Sequence, residues 1–190
     1  MGEDVFRLLG IAGSLRQGSY NRGLLRAAAT VLPEGVVFGV HALDDIPLFN
    51  ADVMAQGGPD PVLTLKDKIC AADALLIATP ENNYSIPGVL KNALDWASRP
   101  HKDSCLGGKP IGIVGASTGE GGTIRAQLAL RQVFILTDSL AMVQPELCVR
   151  MAGQKFDAGG DLVDEDIRKR LGAYVEALVA WARLVKPWDR

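Results

Sequence analysis

The sequence predicts an α/β fold in which a five-stranded parallel sheet is covered by helices on both faces. Three observations predict it. Short, nearly all-apolar runs recur along the chain, as expected of strands buried on both faces. Between them lie longer segments with apolar residues at helical spacing. The two types alternate with no repeat or linker dividing the chain, so right-handed helical crossovers between parallel strands follow.

Phe6–Ala12 is short, apolar and followed by Gly13, as a buried parallel strand would be. Asn21 can cap a helix through Leu24, Leu25, Ala28 and Leu32, stopped by Pro33. Residues 36–40 form the second strand. The irregular stretch 44–58 follows, and long loops in compact α/β proteins serve a site or an interface. Asp60 then acts as an N-cap with Pro61 at the first helical position, and Val62, Leu65 and Ile69 share one face. Ala74–Ala78 is the third strand. Pro87 opens a helix with Leu90, Leu94 and Ala97 along one side; Lys91 and Asp95 are spaced as an i,i+4 pair and Trp96 as packing core. Residues 110–115 are the fourth strand, 123–136 a helix and 140–143 the fifth strand. A last helix over 164–185 carries Ile167, Leu171, Tyr174, Leu178, Trp181 and Val185 at helical spacing.

The 190 residues fit one domain spanning 1–190, and 48% hydrophobic residues can build a core, which excludes disorder. Twenty basic and 22 acidic residues leave a net charge of −2, so no footprint for nucleic acid or an anionic membrane appears. Cys70, Cys105 and Cys148 form no CxxC pair and are odd in number, which fits free thiols in a reducing compartment. His41 and His101 are too few and too isolated for a zinc or non-haem iron site. With no signal-peptide pattern at the start and no apolar run near the ~18 residues of a membrane span, a soluble cytoplasmic protein is expected. The 21 glycines are in excess, about 11% against an average near 7%. Where they sit matters, because ligands of open parallel sheets bind beyond the carboxyl ends of the strands.

Three loops at those ends are unusual. After the first strand come Gly13, Ser14, Leu15, Arg16, Gln17, Gly18, Ser19, Tyr20 and Asn21, leading into a helix N-terminus. Backbone N–H groups, the helix dipole and a guanidinium suit a phosphate there. The absence of GxxxxGK[ST] and GxGxxG disfavours ATP, GTP and a Rossmann dinucleotide. After the third strand, Pro80, Glu81, Asn82, Asn83, Tyr84 and Ser85 crowd polar groups and one ring at the sheet edge, which fits a planar heterocycle. After the fourth, Ser117, Thr118, Gly119, Glu120, Gly121 and Gly122 allow a ligand to approach the backbone closely. A flat ring bearing a single phosphate, such as FMN, satisfies all three loops.

Two motifs carry a resemblance: GSLRxxSxN over residues 13–21 and PExNxSxPGxLKNAxDW over 80–96. With the glycine loop 117–122, Arg125-Ala126, Leu130-Arg131 and the stretch 46–52, the chain resembles the NAD(P)H-dependent FMN reductases, a flavodoxin-like group that includes chromate, quinone and azobenzene reductases. The resemblance implies a doubly wound sheet in the order 2-1-3-4-5. It implies that Ser14, Leu15, Arg16, Ser19 and Asn21 hold the FMN phosphate and ribityl end. Pro80, Glu81, Asn82, Asn83 and Tyr84 would line the isoalloxazine, and Ser117 and Gly119 approach it from the other loop. The family usually carries tyrosine where this chain has Asn82. The resemblance further implies hydride transfer from NADPH or NADH through FMN to a small-molecule acceptor such as a quinone, an azo compound or chromate, with ping-pong kinetics. No catalytic side chain and no metal are then needed, because the cofactor carries the chemistry. It also implies a homodimer or homotetramer, with Phe49 and Asn50 reaching the partner and Arg125 pairing with Glu146 across the interface.

Two other readings fit less well. A flavodoxin-type electron carrier tends to be strongly acidic, unlike this chain. A receiver-type signalling domain needs an aspartate after the third strand and an acidic pair after the first, where Thr79-Pro80 and Gly13-Ser14 stand.

Overall fold

A computed structural model describes residues 5–185. Strands β1 (Phe6–Ala12), β2 (Val36–His41), β3 (Ala74–Ala78), β4 (Pro110–Ala116), β5 (Leu140–Ala141) and β6 (Leu147–Val149) alternate with helices. The helices are α1 (Tyr20–Ala28), α2 (Ala51–Ala55), α3 (Asp60–Ala71), α4 (Gly88–Ala97), α5 (Ile124–Thr137) and α6 (Glu165–Val185). The strands are parallel in the order β2-β1-β3-β4-β5, and β6 also pairs with β4.

Both faces of each central strand are apolar, and alternate residues feed opposite cores. Leu8, Ala12, Leu76, Ala78 and Val114 pack under α1 and α6. Leu9, Ile11, Leu75, Ile77, Ile111 and Ile113 pack under α3, α4 and α5. This is the doubly wound arrangement, with strand order reversing between β1 and β3.

Four features correct the sequence expectation. The α1 helix is capped by Ser19, not Asn21: the Ser19 hydroxyl accepts from the backbone of Asn21 and Arg22. It also ends at Ala28, because Thr30 and Val31 turn back to the carbonyls of Ala27 and Ala28 in tighter i→i+3 bonds. At α3 the cap is Pro59, one residue earlier than expected, with Asp60 already helical. The stretch 44–58 contains α2, capped by Asn50, whose side chain accepts from Asp52 N.

The largest difference lies at the far edge of the sheet. The expected fifth strand is cut to two residues, and β6 resumes the pairing after residues 142–146. Pro145 has no N–H for a ladder, so the edge is broken into two short pieces along β4. In the gap, the Ile113 N–H donates to the hydroxyl of Tyr174 on α6 at 2.7 Å, and Arg131 donates to Met142 O at 2.9 Å. A side chain thus supplies the acceptor that the interrupted strand leaves missing.

Candidate functional site

The loops after β1, β3 and β4 meet around a cavity of about 350 Å³ at the carboxyl edge of the sheet, beside the β1/β3 reversal. That volume falls in the usual range for a small-molecule site.

The first wall is a loop of backbone donors. Among the described residues, the N–H groups of Leu15, Arg16, Gln17 and Gly18 have no acceptor. The loop is held from behind: Arg22 donates through Nε to Ser14 O at 2.9 Å and is itself paired with Asp44 at 2.8 Å. At the end of the loop, Ser19 is buried and accepts two helix N–H groups, which leaves its own O–H to donate. Arg16 lies over the Tyr20 ring, 5.2 Å from its centroid. Exposed N–H groups at a helix start, a hydroxyl and a guanidinium together form a donor set for an anion.

Asn21 lines the cavity but is largely committed elsewhere. It is 2% exposed, and its amide both donates to Ala116 O and accepts from Ala116 N at 2.9 Å. It ties α1 to the end of β4, so one amide hydrogen remains for any ligand.

The β3 loop forms the second wall through Pro80, Glu81 and Asn82, with Pro87 and Val89 beyond. Asn82 and Ser85 exchange both backbone hydrogen bonds at 2.9 Å, closing a two-residue turn. Its central residues, Asn83 and Tyr84, have φ of 49° and 64°, the left-handed values of a type I′ turn. Tyrosine is unusual there, so this backbone is strained at the edge of the site. Neither Asn83 nor Tyr84 lines the cavity; Tyr84 is 71% exposed at the turn tip, with the Arg125 guanidinium 4.1 Å from its ring centroid.

Glu81 has a role that its loop position does not reveal. Its carboxylate accepts from Arg125 N at 2.9 Å, Ala126 N at 3.2 Å and the Arg125 guanidinium at 3.1 Å. It therefore caps α5, whose own N-cap residue, Thr123, makes no side-chain cap bond. Arg125 is bound within its own chain by Glu81.

Ala116, Ser117 and Thr118 close the third side. Ser117 Oγ accepts from Gly119 N at 3.2 Å, so Gly119 is tied to the loop without lining the cavity. Beneath it, burial pushes the Cys148 thiol up, and Cys148 Cβ lies 3.3 Å from where a Cβ on Gly122 would stand.

Nine of the twelve expected site residues line the cavity: Ser14, Leu15, Arg16, Ser19, Asn21, Pro80, Glu81, Asn82 and Ser117. Asn83, Tyr84 and Gly119 do not. Tyr20, Pro87, Val89 and Thr118 do, beyond that expectation. Tyr20 and Thr118 were signalled only by adjacency to the motifs.

A family model described as NADPH-dependent FMN reductase matches residues 6–154. The chain belongs to that family. It is 45% identical to an NAD(P)H-dependent FMN reductase of Pseudomonas aeruginosa, over 98% of this chain and all of that one. It is 43% identical to a 2-hydroxy-1,4-benzoquinone reductase of a Burkholderia species, over 91% and 94% of the two chains. Among solved structures, the flavoenzyme FerB, an NAD(P)H:(acceptor) oxidoreductase from Paracoccus denitrificans, superposes with a TM-score of 0.85 at 35% identity, covering 94% of this chain and 98% of that one.

This reductase is an NAD(P)H-dependent oxidoreductase that uses FMN. The residues present fit that cofactor: one wall offers unsatisfied backbone donors and Arg16 to a phosphate, and the other two offer proline, amide and hydroxyl surfaces to a flat ring. The long loop is pinned to α4. Pro47 O accepts from Asn92 Nδ2 and Trp96 Nε1, each at 2.8 Å, and Phe49 packs edge-on against Trp96 at 4.9 Å. Within the chain, Phe49 N also donates to Asn92 Oδ1 at 2.7 Å, and Asn50 Oδ1 accepts from Asp52 N at 2.8 Å. Among the described residues no group of His, Cys, Asp and Glu could hold a metal, and no helix is long and apolar enough to cross a membrane.

Proposed function

We propose that this reductase passes reducing equivalents from NADPH or NADH to a quinone, with azo compounds and chromate as further acceptors. FMN supplies the redox chemistry when bound. Leu15, Arg16, Gln17 and Gly18 hold its phosphate through backbone N–H groups, with the Arg16 guanidinium and the Ser14 and Ser19 hydroxyls beside them. The ring end lies between Pro80, Glu81 and Asn82 on one side and Ser117 on the other. The observation that carries the reading is the run of four unsatisfied backbone donors before α1, of which Leu15 and Arg16 line the cavity beside the strand-order reversal. Quinones come first among acceptors because a relative 43% identical is named for one.

The reductase works in the cytoplasm as a homodimer or homotetramer. Ile124, Leu128 and Ile135 form an exposed apolar stripe along α5, which supports self-association. Light scattering at micromolar concentration should give twice or four times the chain mass, and a monomer would overturn that part.

The central test begins with protein purified without added cofactor. Its visible spectrum should show bound flavin, which chromatography identifies as FMN. Anaerobic NADPH or NADH should bleach it, and a benzoquinone should restore the colour faster than chromate or an azo dye. Colour restored by chromate alone would reject the quinone assignment, and bound FAD or no flavin would reject the assigned phosphate site.

A further inference from the structure

Glycine within a helix costs about 1 kcal/mol relative to alanine, yet Gly23 stands in the middle of α1. The reason is a backbone crossing. A Cβ at Gly23 would lie 1.9 Å from the carbonyl oxygen of Gly160. Gly160 has φ of +82°, and a Cβ there would lie 2.9 Å from the carbonyl oxygen of Gly18. Three glycines therefore stack backbone against backbone: Gly18 in the donor loop, Gly160 behind it and Gly23 in the helix that the loop enters. With no flexible side chain between them, a shift of one is transmitted to the others.

Gly160 belongs to a small hairpin, residues 156–162, closed by the Phe156–Leu162 bridge. Asp157 N donates to Asp161 O at 2.9 Å, Asp161 N to Asp157 Oδ1 at 2.8 Å and Gly160 N to Asp157 O at 3.0 Å. Arg26 of α1 fastens the hairpin by donating to Gly160 O at 3.0 Å and pairing with Asp161. On the same side, Phe156 packs against Tyr20 at 4.9 Å, and Tyr20 carries Arg16. The hairpin lies past the residues that the family model matches, and none of its residues lines the cavity.

We infer that this hairpin, through Gly160 and its clamp Arg26, is a positioning element that sets the donor loop for the phosphate of FMN. The inference rests on the reading above that residues 14–19 hold that phosphate. Backbone donors are selective only when fixed in advance, because ordering them on binding would consume affinity. The hairpin fixes Gly18 at the end of the donor run and, through Tyr20, the base of Arg16. Gly160 and Arg26 act on the phosphate end alone, so they govern preference for FMN over riboflavin, which has the same ring and no phosphate.

The full chain, loaded with FMN or with riboflavin, is diluted, and the released flavin is read by fluorescence to give both dissociation constants. Gly160→Ala should weaken FMN about tenfold, the equivalent of one charge-assisted hydrogen bond, and leave riboflavin unchanged. Arg26→Gln should shift the ratio in the same direction by less, because it loosens the clamp without displacing the loop. If Gly160→Ala does not fold, Arg26→Gln decides alone. Equal weakening of both flavins would overturn the inference, since a general support acts on both. No change in either would also overturn it. Arg16→Ala is the control: if wild type shows no preference for FMN and Arg16→Ala changes nothing, the phosphate assignment itself fails. If Arg16→Ala removes the preference while Gly160→Ala and Arg26→Gln retain it, only the hairpin's role fails.

Discussion

Glu81 and Arg125 are 44 residues apart in sequence, yet their side chains meet at 3.1 Å at the start of α5. The carboxylate is 10% exposed and also accepts two helix N–H groups, while the guanidinium is 50% exposed. The burial difference separates their contributions. Glu81→Gln should destabilise the fold by about 1–2 kcal/mol, because a partly buried anion at a helix N-terminus is lost. Arg125→Ala should cost about 0–1 kcal/mol, as exposed pairs do. Urea unfolding at unchanged m-value measures both, and equal costs would show that the ion pair, not the cap, carries the stabilisation.

Arg16 is the one full positive charge on the donor loop. A charge-assisted hydrogen bond is worth about 1.5–3 kcal/mol. Arg16→Ala should therefore raise the FMN dissociation constant about tenfold or more. An unchanged constant in a flavin-fluorescence titration would remove Arg16 from the phosphate site.

Nicotinamide and acceptor must both reach a cofactor held in one cavity of about 350 Å³. They should bind in turn and give parallel double-reciprocal lines when one is varied at several fixed levels of the other. Intersecting lines would mean that both are bound together.

Tyr174 is a structural residue, away from the site. Burial pushes its hydroxyl strongly up in pKa, so it stays neutral and accepts from Ile113 N. Tyr174→Phe leaves that buried N–H without a partner, which should cost about 1–3 kcal/mol. A change under about 0.5 kcal/mol would mean that another group takes over the acceptor role.

His41 gives the fold a pH dependence. Burial, and then the charge of Lys68, hold its pKa below the ordinary 6.5. Its Nδ1 faces Lys68 Nζ at 3.2 Å, and Nε2 is buried without a partner. The unfolded chain therefore binds a proton near 6.5 while the folded chain does not. This contribution is complete above that pH and is lost as the pH falls toward the lower folded-state value. The thermal midpoint should fall on acidification below pH 6.5, and His41→Gln should flatten part of the slope. Identical slopes for the two proteins would show that carboxylates alone account for it.

What the sequence by itself determined was the alternation. Runs such as Leu75-Leu76-Ile77 are apolar on both faces, so they had to be central strands beneath two helical layers. The same logic placed the three loops at one sheet edge, because parallel strands bring all their carboxyl ends together. Tertiary structure decided the rest, by assigning partners to polar groups. Asn21 and Glu81 stood in motif positions that suit a ligand, but their hydrogen bonds go to Ala116 and to the start of α5. The broken edge strand depended on whether something could satisfy Ile113 N, and that partner, Tyr174, lies 61 residues away. Gly23 is a poor helix former, and its place in α1 is explained only by Gly160, from a distant hairpin, whose carbonyl occupies the space a methyl group would need. Periodicity is a local property of the chain and is legible in it. Where a hydrogen bond or a close backbone contact ends depends on which distant residue the fold brings there, and local sequence carries no record of that.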